Sequence, residues 1–396
     1  MVFVILLVGA VATTVALFLH RPFSVADQPF PDAHEYLNAA YRLAHGQGYT
    51  TTVRDYASSP HLRMAVNPPR FPPGTSLVLA PFALLGSYPA NVEFGSQLIT
   101  VALVLAVGWA AYTLAGRYAG LLAVILASTS EFVMKSMHLV MSDPLAALLA
   151  VLCVPLLSLR KPWAIYLLGL VAGYSVVVRV SGLVIVIAVL IVVSGWDRLR
   201  AATAAALPVV LLGIYNWTTF GEPWSTGYGY WLKDIRQYSV SYIFKHPWSN
   251  YGEEPYYFSE LRHFHVDLVA NTHAGVIGLL ANVWFYPLIV IGVSAVFGPP
   301  LVTLVGLIAV VRRWRWRSSR FTLVLIVLTV LVFLPNLGQD PRYMAGTDMV
   351  LLAWAGAAAV FFWRWLFLRY EEPLSRYRWL PRPSTSNPER PLGTTP

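Results

Sequence analysis

The chain has 396 residues, 57% of them apolar and 12% charged, against about 45–50% and 25% in soluble globular proteins. That composition excludes an ordinary soluble enzyme. A mean hydropathy of +0.59, with 14 Trp, 21 Tyr and 19 Phe, fits an all-α polytopic membrane protein with aromatic residues at its two water interfaces. The one cysteine, Cys153, excludes an internal disulfide and a thiolate zinc site, and its apolar surroundings mark it as a small buried side chain.

Apolar runs of about 20 residues place about ten transmembrane helices, near 1–19, 92–115, 118–134, 143–159, 162–178, 181–195, 201–216, 293–311, 321–337 and 343–366. With the N-terminus inside, the inner loops and tail hold 16 of the 28 Lys and Arg but only 4 acids, Asp197, Glu371, Glu372 and Glu389. The other 15 of the 19 acids are thereby assigned to the outer side. The net charge of +9 therefore reads as membrane orientation, with a cytoplasmic C-terminus, and not as affinity for nucleic acid.

A membrane domain is expected over 1–368, with outward-facing loops at 20–91 and 217–292, in the plasma or inner membrane. Residues 369–396, rich in Pro, Ser and Arg, read as a disordered cytoplasmic tail drawn toward anionic lipid. The apolar stretch 275–291 reads as interfacial or re-entrant, because counting it as a span would put "RRWRWRSSR" at 312–320 outside. Residues 24–26, "SVA", have a small-x-small cleavage pattern. No Lys or Arg precedes the apolar stretch before them, however, and that stretch is long for a signal peptide, so a retained span is the better reading.

In the first outer loop, Tyr36, Leu37, Ala40, Leu43 and Ala44 recur at helical spacing. They predict a short helix along the membrane surface, started by Pro31 and Asp32 and stopped by Gly46 and Gly48. Downstream, "NPPRFPPGTSLVLAPFALLG" predicts a proline-stiffened turn bearing Arg70, leading into an apolar half-helix. Irregular backbone of this kind at membrane depth usually lines a cavity.

These stretches, in this order, resemble the membrane glycosyltransferases of the GT-C superfamily, in particular relatives of protein O-mannosyltransferases and lipid A aminoarabinose transferases. The resemblance lies in an Asp shortly after the first span, "YLNAAYRLAHGQGY" and "FPPGTSLVLAPFALLG". It continues through "MSDPLAALLA", "GYSVVVRVSGLVIV" and "YNWTTFGEPWSTGY", mostly within residues 1–230. It implies transfer of a hexosyl or pentosyl unit from a polyprenyl-phosphate-linked sugar donor to a lipid, glycan or protein acceptor on the outer face. Such a reaction needs a base for the acceptor hydroxyl and cations for the phosphate, with inversion at the anomeric carbon. No cofactor is obligatory for a monophosphate leaving group, and a divalent metal is possible without being indicated.

Asp32 matches the family's acidic position and is the expected general base. Relatives often carry Asp-Glu as neighbours here, whereas Ala33 follows Asp32 and Glu35 is left as the second acid. The same Asp-x-x-Glu spacing could instead be a capping box. Asp143 before Pro144 is expected either to contact substrate or to cap its helix. Asp340 before Pro341 repeats that construction and reads as a cap.

Arg179, between two apolar runs, and Arg70, beside four prolines, are the expected phosphate-binding residues. An unpaired cation at that depth is costly, and lipid anchoring is the alternative reading of Arg179. Lys135, His138 and Arg342 are further outward-facing candidates that could equally anchor at the interface. "HFH" at 263–265, near Glu260 and Asp267, is a conceivable divalent site that a solvated loop face explains more simply. Asn216 in "NWT" matches a glycosylation acceptor by coincidence of position. The aromatic residues of "EPWSTGYGYW" could stack on a sugar or anchor at the interface. A membrane transporter or lipid flippase, and a polymer ligase, are the competing readings. The charges gather at the outer boundary, and no paired broken spans of the transporter kind are evident.

Overall fold

A computed structural model describes residues 31–52, 66–137, 139–159, 161–231, 300–333 and 341–369. Among them the chain is helical, and its only β-type pairing is an isolated bridge between Thr51 and Asn67. In chain order the helices are α1 (Pro31–Ala44), α2 (Gly74–Ala83), α3 (Ala90–Ala115), α4 (Arg117–Ser128), α5 (Glu131–Ser136), α6 (Asp143–Ser158), α7 (Pro162–Val178), α8 (Leu183–Val192), α9 (Gly195–Phe220), α10 (Gly227–Trp231), α11 (Pro300–Arg312), α12 (Arg317–Phe333) and α13 (Ala345–Arg369). Short 3-10 turns, Val180–Gly182 and Pro341–Met344, lead into α8 and α13.

By length and composition, three of these, α3, α9 and α13, are long and apolar enough to cross a membrane. Helices α2, α4, α6, α7, α8 and α11 are apolar but shorter. The spans expected near 1–19 and part of that near 293–311 lie outside the described residues, as do segment 275–291, "HFH", Asp340 and residues 370–396. Helix α9 exposes Leu207, Val210, Leu211 and Ile214, a stripe suited to lipid and not to water.

Several predicted boundaries change. The span expected at 118–134 is two helices: the first ends at Ser128, capped by Thr129, and Ser130 caps the second, its hydroxyl accepting the Val133 N–H. The span expected at 181–195 begins as a 3-10 turn and stops at Val192, before the left-handed Gly195. The span expected at 201–216 extends over 195–220 and is stopped by Gly221 at φ 86°, a conformation natural to a C-terminal glycine. Asp348, counted with the outer acids by the charge distribution, is instead buried inside α13. Its carboxylate has no hydrogen-bond partner among the described residues. A charge count follows chain order and cannot see that a lone acid has been placed within a span.

The main core joins buried residues of α3, α4, α6, α7, α8, α12 and α13, including Leu103, Cys153, Leu168, Phe321 and Trp354. Cys153 is buried, as its apolar setting predicts. Close backbone approach sets some of these contacts. A Cβ at Gly169 would stand 2.3 Å from the Ala201 carbonyl oxygen, and one at Gly173 would stand 2.3 Å from that of Ala205. Small residues at such contacts are how apolar helices pack when the hydrophobic effect does not drive them together.

A second, smaller core holds the site in place. Ala33, Tyr36, Leu37 and Ala40 of α1 pack with Leu79 and Ala83 of α2, Val92 and Ile99 of α3, Leu145 and Leu149 of α6, and Val178. Tyr36, Leu37 and Ala40 are the centre of the helical stripe predicted from sequence; Ala33 extends it by a turn, Ala44 is only partly buried and Leu43 is not part of this core. Gly169→Val or Gly173→Val is expected to force α7 from α9, lowering stability by about 1–3 kcal/mol. Thermal unfolding of the detergent-solubilised variants measures the loss, and wild-type behaviour would show that the helices do not need this approach.

Candidate active site

The i, i+3 spacing of Asp32 and Glu35 places both carboxylates on one side of α1, next to its buried stripe. Facing them is the turn Asn67–Pro73. Its four prolines, Pro68, Pro69, Pro72 and Pro73, supply no N–H, so the turn must be held through the remaining donors and its carbonyls. The Asn67 N–H bonds the Thr51 carbonyl at 2.9 Å. The Arg70 N–H donates to Glu35 Oε1. The Tyr49 hydroxyl reaches the Phe71 and Pro72 carbonyls at 2.9 and 3.1 Å, and the Tyr174 hydroxyl reaches the Gly74 carbonyl at 2.8 Å. A Cβ at Gly74 would lie 2.7 Å from the Val177 backbone, so only glycine lets the start of α2 sit on the end of α7.

On this turn Arg70 points its guanidinium back at α1. Its Nη2 lies 2.8 Å from Asp32 Oδ1, and its Nε lies 3.8 Å from Glu35 Oε2. The capping-box alternative therefore gives way. Asp32 lies inside the helix and not at its cap, and both carboxylates address Arg70. The Arg70 guanidinium also stands 4.6 Å over the Phe71 ring, which stacks on Tyr36 at 4.8 Å and meets Tyr228 edge-on at 5.6 Å.

A second cation arrives from the break between α7 and α8. Arg179 has extended backbone, its N–H bonding the Ser175 carbonyl at 2.9 Å. Its guanidinium forms an ion pair with Asp143, the first residue of α6, and lies 5.5 Å from the Tyr343 ring centroid. Ser142, not Asp143, takes the cap position of α6, with Pro144 in the first turn as expected. The free-cap and lipid-anchor alternatives for these two residues are replaced by a pair between them.

The two groups lie near one another: Phe71, under the Arg70 guanidinium, contacts both Tyr36 of α1 and Tyr228 of α10, and both tyrosines are within electrostatic reach of Arg179 and Asp32. Asp32 and Arg179 side chains are each 21% exposed while Glu35 and Asp143 are each 4% exposed. One carboxylate and one guanidinium are thus open to an incoming molecule, and two carboxylates are held behind them. Burial pushes the Glu35 carboxyl up to about 7, opposed by the Arg70 charge and its backbone N–H and assisted by Asp32.

Lys135 and Asn216 do not join this cluster. Lys135 pairs with Glu131 at 3.0 Å on an exposed part of α5. Arg342 lies in the turn Pro341–Met344 beside Tyr343, its side chain outside the described residues, as is His138. Asn216 is buried and donates to the Pro223 carbonyl at 3.2 Å. Sequence reasoning read Tyr36 only as a packing residue and gave Tyr343 no role, so it missed both as neighbours of the cluster, whereas Tyr228 belongs to "EPWSTGYGYW", whose aromatic residues it offered either for sugar stacking or for anchoring. The adjoining Gly227 holds Tyr228 there, since a Cβ on it would lie 2.1 Å from the Pro69 carbonyl oxygen. Among the described residues no group of three or more His, Cys, Asp or Glu could hold a metal ion.

No protein-family model and no curated protein sequence matches the chain. Solved structures do, and the likeness is one of fold. The oligosaccharyltransferase of Archaeoglobus fulgidus, tethered to an acceptor peptide, is similar with a TM-score of 0.53 and 12% identity, over 93% of this chain and 50% of that one. ArnT from Cupriavidus metallidurans bound to undecaprenyl phosphate gives 0.52 and 15%, over 89% and 59%. The archaeal enzyme AglB, also from Archaeoglobus fulgidus, in complex with an inhibitory peptide and a dolichol-phosphate, gives 0.50 and 11%, over 96% and 52%. The chain thus spans between half and three fifths of the length of these proteins.

The Glu35 carboxyl gives a pH signature. The folded protein keeps its proton to higher pH than the unfolded chain, where the usual value is 4.5. Stability therefore falls as pH rises from about 4.5 to about 7, by at most about 1.4 kcal/mol per pH unit, and levels off above. Thermal unfolding at pH 5 and pH 8 is expected to show this loss in the wild type and a smaller one in Glu35→Gln. An equal loss in both would assign the slope to other groups.

Proposed function

We propose that the chain is an integral membrane glycosyltransferase. In this reading it moves a sugar from a polyprenyl-phosphate-linked donor to an acceptor hydroxyl on a lipid, glycan or protein, on the outer membrane face. The observation that carries the reading is the convergence of Arg70, Arg179, Asp32, Glu35 and Asp143, with tyrosine walls, where the proline turn meets the ends of α6 and α7. The GT-C fold and the polyprenyl phosphates bound by its structural neighbours support it.

Asp32 is the general base in this proposal. The acceptor oxygen bonds to the anomeric carbon as its proton passes to the Asp32 carboxylate, and the carbon–oxygen bond to phosphate breaks with its electron pair staying on the phosphate. In-line attack inverts the anomeric centre. Arg179 and Arg70 balance the leaving phosphate, for which the planar guanidinium is well shaped. Asp143 holds Arg179 in place, and Glu35 fixes the backbone that presents Arg70. Lys135, His138 and Arg342 enter as outlying cations for the donor headgroup. The scheme routes no step through a metal.

Three carboxylates against two guanidiniums leave the cluster one negative charge in excess when all are ionised. A proton on Glu35 removes that excess, so donor binding is expected to weaken as pH rises through about 7.

Asp32→Asn is expected to lower sugar transfer by roughly a hundred- to ten-thousand-fold while bound polyprenyl phosphate remains visible by native mass spectrometry. An active variant would remove Asp32 as the base. If wild type binds no isoprenoid phosphate even when it is supplied, the transporter or flippase reading replaces this one.

Arg179→Gln alone leaves Asp143 buried without its counter-ion, at a cost of about 3–5 kcal/mol. The pair Asp143→Asn with Arg179→Gln is expected to recover stability but not donor affinity. Donor binding by that pair at the wild-type level would mean that Arg179 is only a structural partner.

A further inference from the structure

Far along the chain from the cluster above, the turn joining α11 to α12 meets the last turns of α13, and cations collect there without carboxylates among the described residues. Arg312, Arg313, Arg315, Arg317 and Arg320 fall close together, and no Asp or Glu occurs anywhere in 300–333. The only acid of α13, Asp348, is more than four helical turns before Arg364.

Arg313 and Arg364 are neighbours across this junction. The Arg313 guanidinium lies 3.4 Å from the ring centroid of Phe361, one turn before Arg364, and 4.8 Å from that of Trp316. Trp316 in turn contacts Phe361 edge-on at 6.0 Å. Burial, and next to it the charge of Arg364, lowers the Arg313 pKa. The Arg364 Nε is buried with no hydrogen-bond partner among the described residues. The same is true of the hydroxyl of Ser318, one turn before Thr322, which receives the Trp354 indole N–H at 3.0 Å. Like charges pressed together, with a buried donor unused, raise the free energy of a low-dielectric junction unless an anion joins them.

The rim fits a lipid better than a free ion. Trp314, Phe362 and Trp365 are half or more exposed, and such residues settle at headgroup depth with acyl chains on one side and water on the other. Guanidinium forks match phosphate oxygens in pairs. We propose that Arg313 and Arg364 form a binding site for the phosphate of an anionic phospholipid headgroup. The site is separate from the transfer reaction and does not rest on the reading given above.

Native mass spectrometry of the full-length protein, titrated with phosphatidylglycerol or phosphatidylcholine, tests this. The wild type is expected to retain a phosphatidylglycerol that phosphatidylcholine does not replace, and to unfold at higher temperature in its presence. Arg313→Gln with Arg364→Gln is expected to weaken that binding by about tenfold. Arg313→Lys with Arg364→Lys should keep part of it, and Arg320→Gln all of it. If the Gln pair fails to fold, Arg364→Gln alone carries the comparison.

Equal binding of the two lipids, or full binding by the Gln variants, overturns the proposal. So does an adduct with the mass of inorganic phosphate in place of a lipid. A phosphatidylglycerol preference that emerges only in Glu371→Gln with Glu372→Gln also overturns it, since the chain's own acids would then be the occupant.

Discussion

Arg70 is held twice by one helix: its side chain by Asp32, its backbone N–H by Glu35. The second contact organises the first. A turn with four prolines has few donors with which to fix itself, and Glu35 takes the N–H that would otherwise be buried unpaired at a cost of about 1–3 kcal/mol. With that bond made, the guanidinium leaves the turn toward α1, where Asp32 meets it. Phe71 follows it into the stack with Tyr36 and Tyr228, and Gly74 follows onto the end of α7. The geometry around Arg179 then inherits its position from α7, whose helix ends at the same level.

The two cations are balanced differently. Arg179 has a dedicated partner in Asp143, on another helix and nearly inaccessible. Arg70 shares two carboxylates, one of which has its pKa raised by burial to about 7, so that it changes charge near neutral pH. The first arrangement is rigid: removing either member strands a charge. The second can adjust, because the proton on Glu35 changes how much charge Arg70 must answer. A site that accepts an anion beside three acids benefits from one acid able to give up its charge.

Much of this was legible in the residues. The helix 31–44, the proline turn, the half-helix after it and the Arg-bearing break at 179 all follow from period, proline and glycine placement, which are local signals. The pairings Arg70 with Asp32 and Arg179 with Asp143 were not, since 38 and 36 residues separate the partners and any of several acids could have answered either cation. Tyr36 and Tyr343 were hidden for another reason: in an aromatic-rich chain, a tyrosine that walls a site has the same sequence surroundings as one that anchors an interface. The division of 118–134 at Ser130 was missed because a serine within an apolar run does not by itself signal a cap. Asp348 shows the converse limit, as a charge count assigns sides by order along the chain and not by depth.

Gly227 stands against the carbonyls of Pro69 and Arg70, at distances that leave no room for a side chain. Its neighbour Tyr228 is thereby fastened to the same turn that carries Arg70, although the two lie in different loops of the sequence. A side chain at 227 would therefore displace the backbone that presents Arg70. The two loops cannot vary independently at this point: a change in the Gly227–Trp231 helix must be answered in the proline turn, with one glycine as the seam.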